Sequence, residues 1–415
     1  MACFRPILRV FGRQPLTNLQ RRVATQPACC RHVATTSQQR AASLEQEFSQ
    51  QYKSGQCFPV RIGDVLQSTY RVVAKLGFGT SSIVWLGRNT KTNAYYALKV
   101  CAAGAEQSNE VLVSERIKSI ESDHPGLARI RVVVDDFKIP GPTRTHQCLV
   151  FDPLGLTYTQ LRARFPGKVL EKRLLQQSLL LVLLGLDVLH KAGVVHTDIS
   201  PNNILLGVDD PAIFQAMERS TQEDHDTEIH RPGDRFEHQS QELPVTGGAL
   251  VIADFGAAHV GEPGQQFTGD IMPNFHRAPE VILNMPWDCK VDIWSIGVMI
   301  WDLFEGKRLF YAARDGKLDD EQHLAEMVSL MGPPPKRFLQ RSASCNRYWD
   351  SEGNWIAATE IPEQSFESRE TRLEGEDHAL LVALAKKILR WLPEERPSAE
   401  ELFEDSFLTQ HLRES

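Results

Sequence analysis

The chain changes character twice along its length. From Tyr70 the apolar and polar positions turn to a β pattern: the stretches 70–77, 83–87 and 95–100 predict three consecutive strands, joined by tight turns at Gly77–Ser82 and Asn89–Asn93. A helical pattern follows near Asn109–Ile120, and two more strands are predicted at Ile130–Phe137 and Gln147–Phe151. After Pro153 the pattern becomes mainly helical, beginning with Lys172–Lys191. The longest apolar run, Leu179–Leu186, is eight residues long and is closed by Asp187. That falls short of the ~20 residues of a membrane-spanning helix and reads as a buried one. The expected class is α+β: a small β-rich lobe over 70–152 and a larger helical lobe over 153–410.

Two segments break this frame. Residues 207–249 hold ten acidic and three basic residues with few aliphatics, and they predict an exposed, partly disordered insertion between two strands. Residues 1–44 carry seven Arg, no Lys and no acid, the composition of a mitochondrial transit peptide or of a disordered basic tail. Arg5, Arg9 and Arg13 recur there at helical spacing, and residues 45–69 form a lead-in to the first strand. With a net charge of −7 overall, residues 45–415 carry about −14. An acidic body of this kind favours a basic partner and disfavours nucleic acid as the main ligand. The eight Cys are scattered without a CxxC pattern, which argues against a zinc site or a disulfide framework and for a reducing compartment.

Chemistry enters through four short stretches. In LeuGlyPheGlyThrSerSerIleVal (76–84), Gly77 and Gly79 would let a hairpin backbone approach phosphate oxygens, with Val84 packing on a base; Ser82 stands where a third Gly is usual. Lys99 ends AlaLeuLys inside an otherwise apolar strand, where an unpaired ammonium is costly, so a carboxylate partner is expected. On the following helix Glu115 is the first choice for that partner and Glu110 the reserve. In HisThrAspIleSerProAsnAsnIleLeuLeu (196–206), Asp198 and Asn203 lie five apart on one loop and supply a base for a substrate hydroxyl and a magnesium ligand. ValIleAlaAspPheGly (251–256) places Asp254 at the end of an apolar strand, where it would hold the main metal. Their order and spacing argue against chance assembly and point to one nucleotide and metal site, for which the resemblance that follows implies ATP and Mg2+.

With these residues in place, the sequence resembles the eukaryotic protein kinases across residues 70–410. AlaProGlu (278–280), AspIleTrpSerIleGly (292–297) and GluArgProSer (395–398) agree with that family. The resemblance implies a bilobal kinase fold, pairing of Glu280 with Arg396, and an Asp292 that holds the backbone of the catalytic loop. More narrowly, the lead-in 52–64, the segment CysLeuValPheAspProLeuGly (148–155), HisThrAsp in place of HisArgAsp, the insertion after AsnIleLeuLeu and PheThrGlyAspIle (267–271) resemble the SR-protein kinases. That likeness implies Phe151 as gatekeeper, with the Asp152 carbonyl and Leu154 amide binding adenine, and Leu76, Ala97 and Leu205 as further cofactor-binding positions.

The same resemblance implies a serine/threonine kinase acting on basic Arg/Ser-type substrates such as splicing factors, in cytoplasm and nucleus; the chain is expected to be a monomer. The amino-terminal composition points instead to mitochondria. Thr197 cannot grip a phosphate on the activation segment as Arg would, so none is expected to be needed. Acidic Asp319, Asp320 and Glu321 are either part of a substrate dock or a solvated charged turn. Ser200 stands where such kinases usually carry Lys, and it brings no positive charge to the γ-phosphate. A weakly active kinase or a binding scaffold is therefore the alternative reading, with a small-molecule or lipid kinase third.

Overall fold

The computed structural model describes residues 57–79, 81–103, 108–141, 144–227, 243–273, 275–314 and 317–413. The basic segment 1–44, residues 45–56 of the lead-in and residues 228–242 of the insertion lie outside them.

The amino-terminal lobe is one six-stranded antiparallel sheet. Its strands are β1 (Val65–Leu66), β2 (Tyr70–Phe78), β3 (Ser82–Asn89), β4 (Tyr95–Cys101), β5 (Asp135–Pro140) and β6 (Thr145–Phe151), in the order β1-β2-β3-β4-β6-β5. The two-residue period of the strands divides their side chains between two faces. On β4, Leu98 and Val100 join Trp85, Val72 and the lead-in residues Cys57 and Val60 in a core on one face. Ala97 and Cys101 join Leu149, Phe151 and Val84 on the other. Lys99 shares the second face, and a slip of one residue in register would carry it to the wrong side.

Helix α1 (Asn109–Lys118) follows β4. Ser108 caps it by accepting from the Glu110 amide at 3.2 Å, and Arg116 and Lys118 in the last turn suit the negative end of the helix dipole. The strand predicted at 130–137 begins only at Asp135. The apolar residues before it serve the junction between lobes instead: Ile130 bridges to Ile252, and the Val133 amide donates to Ser114 Oγ at 2.8 Å.

The carboxy-terminal lobe is built on helix α3 (Lys172–Lys191), which follows the short α2 (Tyr158–Arg162). By length and composition α3 could cross a membrane, but 78% of its apolar window is buried inside the protein. It packs against α6 (Lys290–Phe304) and the carboxy-terminal α11 (Ser406–Arg413). Between α6 and α11 run α7 (Asp320–Met331), α8 (Lys336–Leu339), α9 (Phe366–Arg369) and α10 (Gly375–Ile388). Two small antiparallel pairs face the other lobe: β7 (Val194–Val195) with β10 (His259–Val260), and β8 (Ile204–Leu206) with β9 (Leu250–Ile252). The loops from these pairs carry the candidate chemistry, and α5 (Pro279–Ile282) closes the segment that follows.

The insertion departs from its expected form. Residues Ala212–Thr227 make a four-turn helix, α4, and it is docked rather than free. Phe214 and Met217 are buried with Val73, Ala74 and Leu86 of β2 and β3. The Tyr95 hydroxyl donates to Glu218, and Arg88 reaches the same carboxylate at 3.4 Å. The acidic composition masked an apolar pair three residues apart, which is the spacing of one helix face.

Candidate active site

The cleft between the lobes gathers side chains from four distant parts of the chain. Lys99 Nζ lies 3.1 Å from Glu110 and 2.8 Å from Asp254 Oδ1. Burial alone would push the Lys99 ammonium down, but the two carboxylates outweigh it and hold it above its ordinary value. Burial likewise works against the Asp254 carboxylate, and Lys99 more than offsets it, leaving Asp254 below the usual range. Both groups are therefore ionised at neutral pH.

The carboxylate that braces Lys99 is Glu110, not Glu115. On α1 the buried positions are Glu110, Val113, Ser114 and Ile117, spaced three, four and seven residues apart, so they form one stripe. Glu115 is five residues on from Glu110, nearly opposite on the helix, and is exposed. This stripe was present in the sequence and was the signal that separates the two. At the start of α1, Asn109 Nδ2 donates to the Gly256 carbonyl at 3.0 Å, tying the helix to the segment after Asp254.

Asp198 and Asn203 face each other across their loop. Asn203 Nδ2 donates to Asp198 Oδ2 at 2.7 Å and to the Asp198 carbonyl at 2.9 Å. Burial raises the Asp198 carboxyl above its ordinary value, against the opposing pull of His196 and Asn203. A carboxylate so raised is a better proton acceptor than a free one. The loop is held from below by Asp292, whose carboxylate accepts from the His196 amide at 2.9 Å, the Thr197 amide at 2.8 Å and His190 Nε2 at 2.9 Å. Thr197 and Asp254 both sit at φ +66°. Left-handed backbone at such residues costs on the order of 1–3 kcal/mol, and here this hydrogen-bonded frame sustains it.

The expected base pocket is largely assembled. Ala97 and Phe151 are buried in one cluster with Leu76 and Val84 packed against it. Leu205 is half-buried on β8, and the hinge is pinned to that strand by the Gly155 amide, 2.7 Å from the Leu206 carbonyl. Leu154 and the exposed Asp152 lie between. A Cβ at Gly77 would meet nothing within 4 Å, which leaves room above the strand for a phosphate, and the Gly79 amide closes the turn onto the Ser82 carbonyl at 2.8 Å. For a metal, the Asp254 carboxylate and the Asn203 amide oxygen are hard oxygen donors of the kind that bind a small divalent cation together with phosphate and water oxygens. Among the described residues there is no cluster of three or more His, Cys, Asp or Glu able to hold a metal by itself.

Beyond the cleft, Arg396 and Glu280 form a bidentate pair at 2.6 and 2.7 Å, with side chains 0% and 1% exposed. The middle of the segment after Asp254 is held by neutral contacts, and its end by the ion pair of Arg277 with Asp320. Thr197 Oγ1 donates to the Ala257 carbonyl at 2.8 Å, and Phe267 and Trp287 exchange backbone hydrogen bonds of 2.7 and 2.9 Å. Their rings stack at 5.2 Å, and Trp287 Nε1 donates to the Gly269 carbonyl at 3.0 Å. Asp319, Asp320 and Glu321 are engaged locally: Asp319 caps α7, Asp320 pairs with Arg277, and Glu321 accepts from the Thr359 amide at 2.7 Å.

Comparison with known proteins agrees with this geometry. Residues 70–408 match the protein kinase domain family. A serine/threonine protein kinase of Aspergillus fumigatus is 38% identical over 370 residues, covering 89% of this chain and 91% of that one. The serine/threonine-protein kinase SRPK of Physarum polycephalum is 29% identical, covering 88% and 91%. The dual specificity protein kinase CLK2 of Mus musculus is 26% identical, covering 83% and 65%. A crystal structure of a kinase domain superposes with a TM-score of 0.65 at 25% identity, covering 85% of this chain and 99% of that one.

Proposed function

This chain belongs to the protein kinase family, and from that premise we propose that it transfers the γ-phosphate of ATP to serine or threonine in basic, Arg/Ser-type protein substrates. Use of ATP with a divalent metal follows from the family; magnesium and the substrate class are the further steps of the proposal. The observation that carries it is the convergence in one cleft of Lys99 with Glu110 at 3.1 Å and with Asp254, 155 residues on, at 2.8 Å, beside the Asp198–Asn203 pair.

In this reading Lys99, braced by Glu110, orients the α and β phosphates. Asp198 aligns the incoming hydroxyl and accepts its proton late, which its raised pKa favours. Asn203 and Asp254 would hold magnesium, which supplies screening of the phosphate charge. The adenine would lie among Leu76, Val84, Ala97 and Leu205, with the Asp152 carbonyl and Leu154 amide reading its edge. Catalysis is then chiefly positioning and electrostatics, with no covalent intermediate on the enzyme. Ser200 is buried and adds no cation, so transfer is expected to be slower than in a kinase with Lys there.

The acidic body, about −14 over residues 45–415, supports a basic substrate. The neutral clamp of Phe267 on Trp287 and of Thr197 on Ala257 supports activity without a phosphate on the activation segment. Phosphatase treatment should leave the rate unchanged, and loss of activity would refute that part. Radiolabel transfer from ATP to an Arg-Ser peptide, with Asp198→Ala as control, tests the whole. Equal labelling by both proteins would defeat it and leave the scaffold reading.

A further inference from the structure

Arg131 has no part in the site as described so far. It lies where the chain passes from α1 to the sheet, its amide donating to the Ile252 carbonyl at 2.9 Å. Its guanidinium covers the Phe151 ring at 4.4 Å from the centroid, and Nη2 donates to the Asp152 carbonyl at 3.1 Å. Nε is buried and finds no acceptor among the described residues. Burial pushes the group down to about 10, with Glu110, Asp254 and Asp152 pulling the other way, so it remains a cation at neutral pH. A guanidinium is an expensive way to fill this space; an apolar side chain would carry no desolvation penalty. Its placement on both the Phe151 ring and the Asp152 carbonyl therefore calls for a reason.

The peptide it holds has a special property. Asp152 is followed by Pro153, which has no N–H, so this peptide offers the cleft an acceptor and never a donor. A purine with an amine at carbon 6 can donate to the Asp152 carbonyl. A purine with a carbonyl there would set two acceptors face to face unless the Asp152 carbonyl swung away. That swing would break the 3.1 Å bond and leave a second nitrogen of the guanidinium without its acceptor.

We infer that Arg131 is a positioning residue for base recognition: by fixing the Asp152 carbonyl and the Phe151 ring, it makes the cleft select 6-amino over 6-oxo purine nucleotides. The inference rests on the kinase reading above and on the hinge carbonyl's part in it. It implies that Arg131 acts on nucleotide affinity and not on phosphoryl transfer.

The test compares ATP with inosine triphosphate in the full-length chain and in Arg131→Met. Inosine triphosphate carries a carbonyl in place of the amine at carbon 6 and with it a hydrogen on N1 that faces the Leu154 amide. The N1 change is common to both proteins, so the change in ratio between them reports on carbon 6. The wild type should favour ATP by about tenfold or more in kcat/KM, and Arg131→Met should reduce that preference by about tenfold. The change should fall in KM, with kcat for ATP held within about threefold of wild type. A purely structural role would lower both nucleotides together and leave their ratio untouched. Three results overturn the inference: a wild type that uses both nucleotides equally, a cooperatively folding Arg131→Met with the wild-type ratio, or a loss confined to kcat. If Arg131→Met does not fold, Arg131→Lys is read in the same way, since an ammonium cannot both stack on the ring and fork to the carbonyl. A Lys variant with the full wild-type ratio is then the refutation. If no nucleotide supports transfer in the wild type, the kinase reading has failed. Calorimetric titration with ADP and inosine diphosphate then decides the Arg131 question separately.

Discussion

Replacing Glu110 by Gln removes the charge that braces Lys99 while keeping shape and length. Lys99 and Glu110 are 15% and 4% exposed at their side chains, so little water screens the 3.1 Å contact. A hydrogen bond to a charged group contributes about 1.5–3 kcal/mol. At about 1.4 kcal/mol per tenfold, kcat/KM for ATP should fall by about 10–150-fold. The lower half of that range is expected, because Asp254 remains 2.8 Å from the ammonium and keeps it from being orphaned. Glu115→Gln on the exposed side of the same helix should stay within about twofold of wild type. Steady-state transfer to a basic peptide over a range of ATP concentrations measures both, with thermal melts showing that each variant is folded. If Glu115→Gln loses as much as Glu110→Gln, or Glu110→Gln loses nothing, the assignment of the brace is wrong.

Other expectations follow from contacts away from the nucleotide. Phe214→Ala should remove about 3 kcal/mol of stability, or less if α4 detaches locally, because the ring is buried against Val73, Ala74 and Leu86; urea unfolding measures it. Glu280→Gln should cost about 3–5 kcal/mol, since it leaves the Arg396 guanidinium, 0% exposed, facing a neutral partner; the shift in melting temperature checks it. For His190, burial pushes the imidazole down, but hydrogen bonds to Asp292 and Cys289 outweigh it and lift it to about 10. The folded state then binds a proton that the unfolded state, at about 6.5, releases first. The stabilisation is full below about pH 6.5 and is lost as pH rises toward 10, so the gap between wild type and His190→Gln in urea midpoint should narrow between pH 6 and 9.5. A gap that widens with pH would refute the protonated assignment.

Which features were legible in the sequence follows from how local their cause is. The strands at 70–78 and 82–89, the helix 172–191 and the loop carrying Asp198 and Asn203 are specified by short runs of residues, and the structure places them where the pattern puts them. The bidentate Glu280–Arg396 pair and the two backbone hydrogen bonds from the catalytic loop to Asp292 likewise match what the family resemblance implied. The sequence is ambiguous where a choice depends on which face of an element meets something distant. Glu110 and Glu115 are equally good carboxylates on one helix, and only the stripe through Val113, Ser114 and Ile117 tells them apart.

Helix α4 shows the same limit from the other side. Composition averages over 43 positions and reports an acidic, poorly buried segment, whereas docking depends on three of them. Phe214 and Met217 supply the apolar contact, and Glu218 supplies an acceptor for Tyr95 and a partner for Arg88. The contacts that fix it to the sheet are far from local: Val73, Ala74, Leu86, Arg88 and Tyr95 lie more than 110 residues away, on β2, β3 and β4. A net negative charge on an insertion therefore says how its exposed positions are solvated, while the spacing of its few apolar residues decides whether it packs. Because α4 packs on the strands that carry the glycine turn and Lys99, its docking bears on how that lobe would sit over a nucleotide in the proposed site. Phe214→Ala should therefore raise KM for ATP as well as lower stability, with kcat at saturating ATP changed less than about threefold. An unchanged KM in a variant that has lost the expected stability would show that α4 is held by the small lobe without helping to set its position.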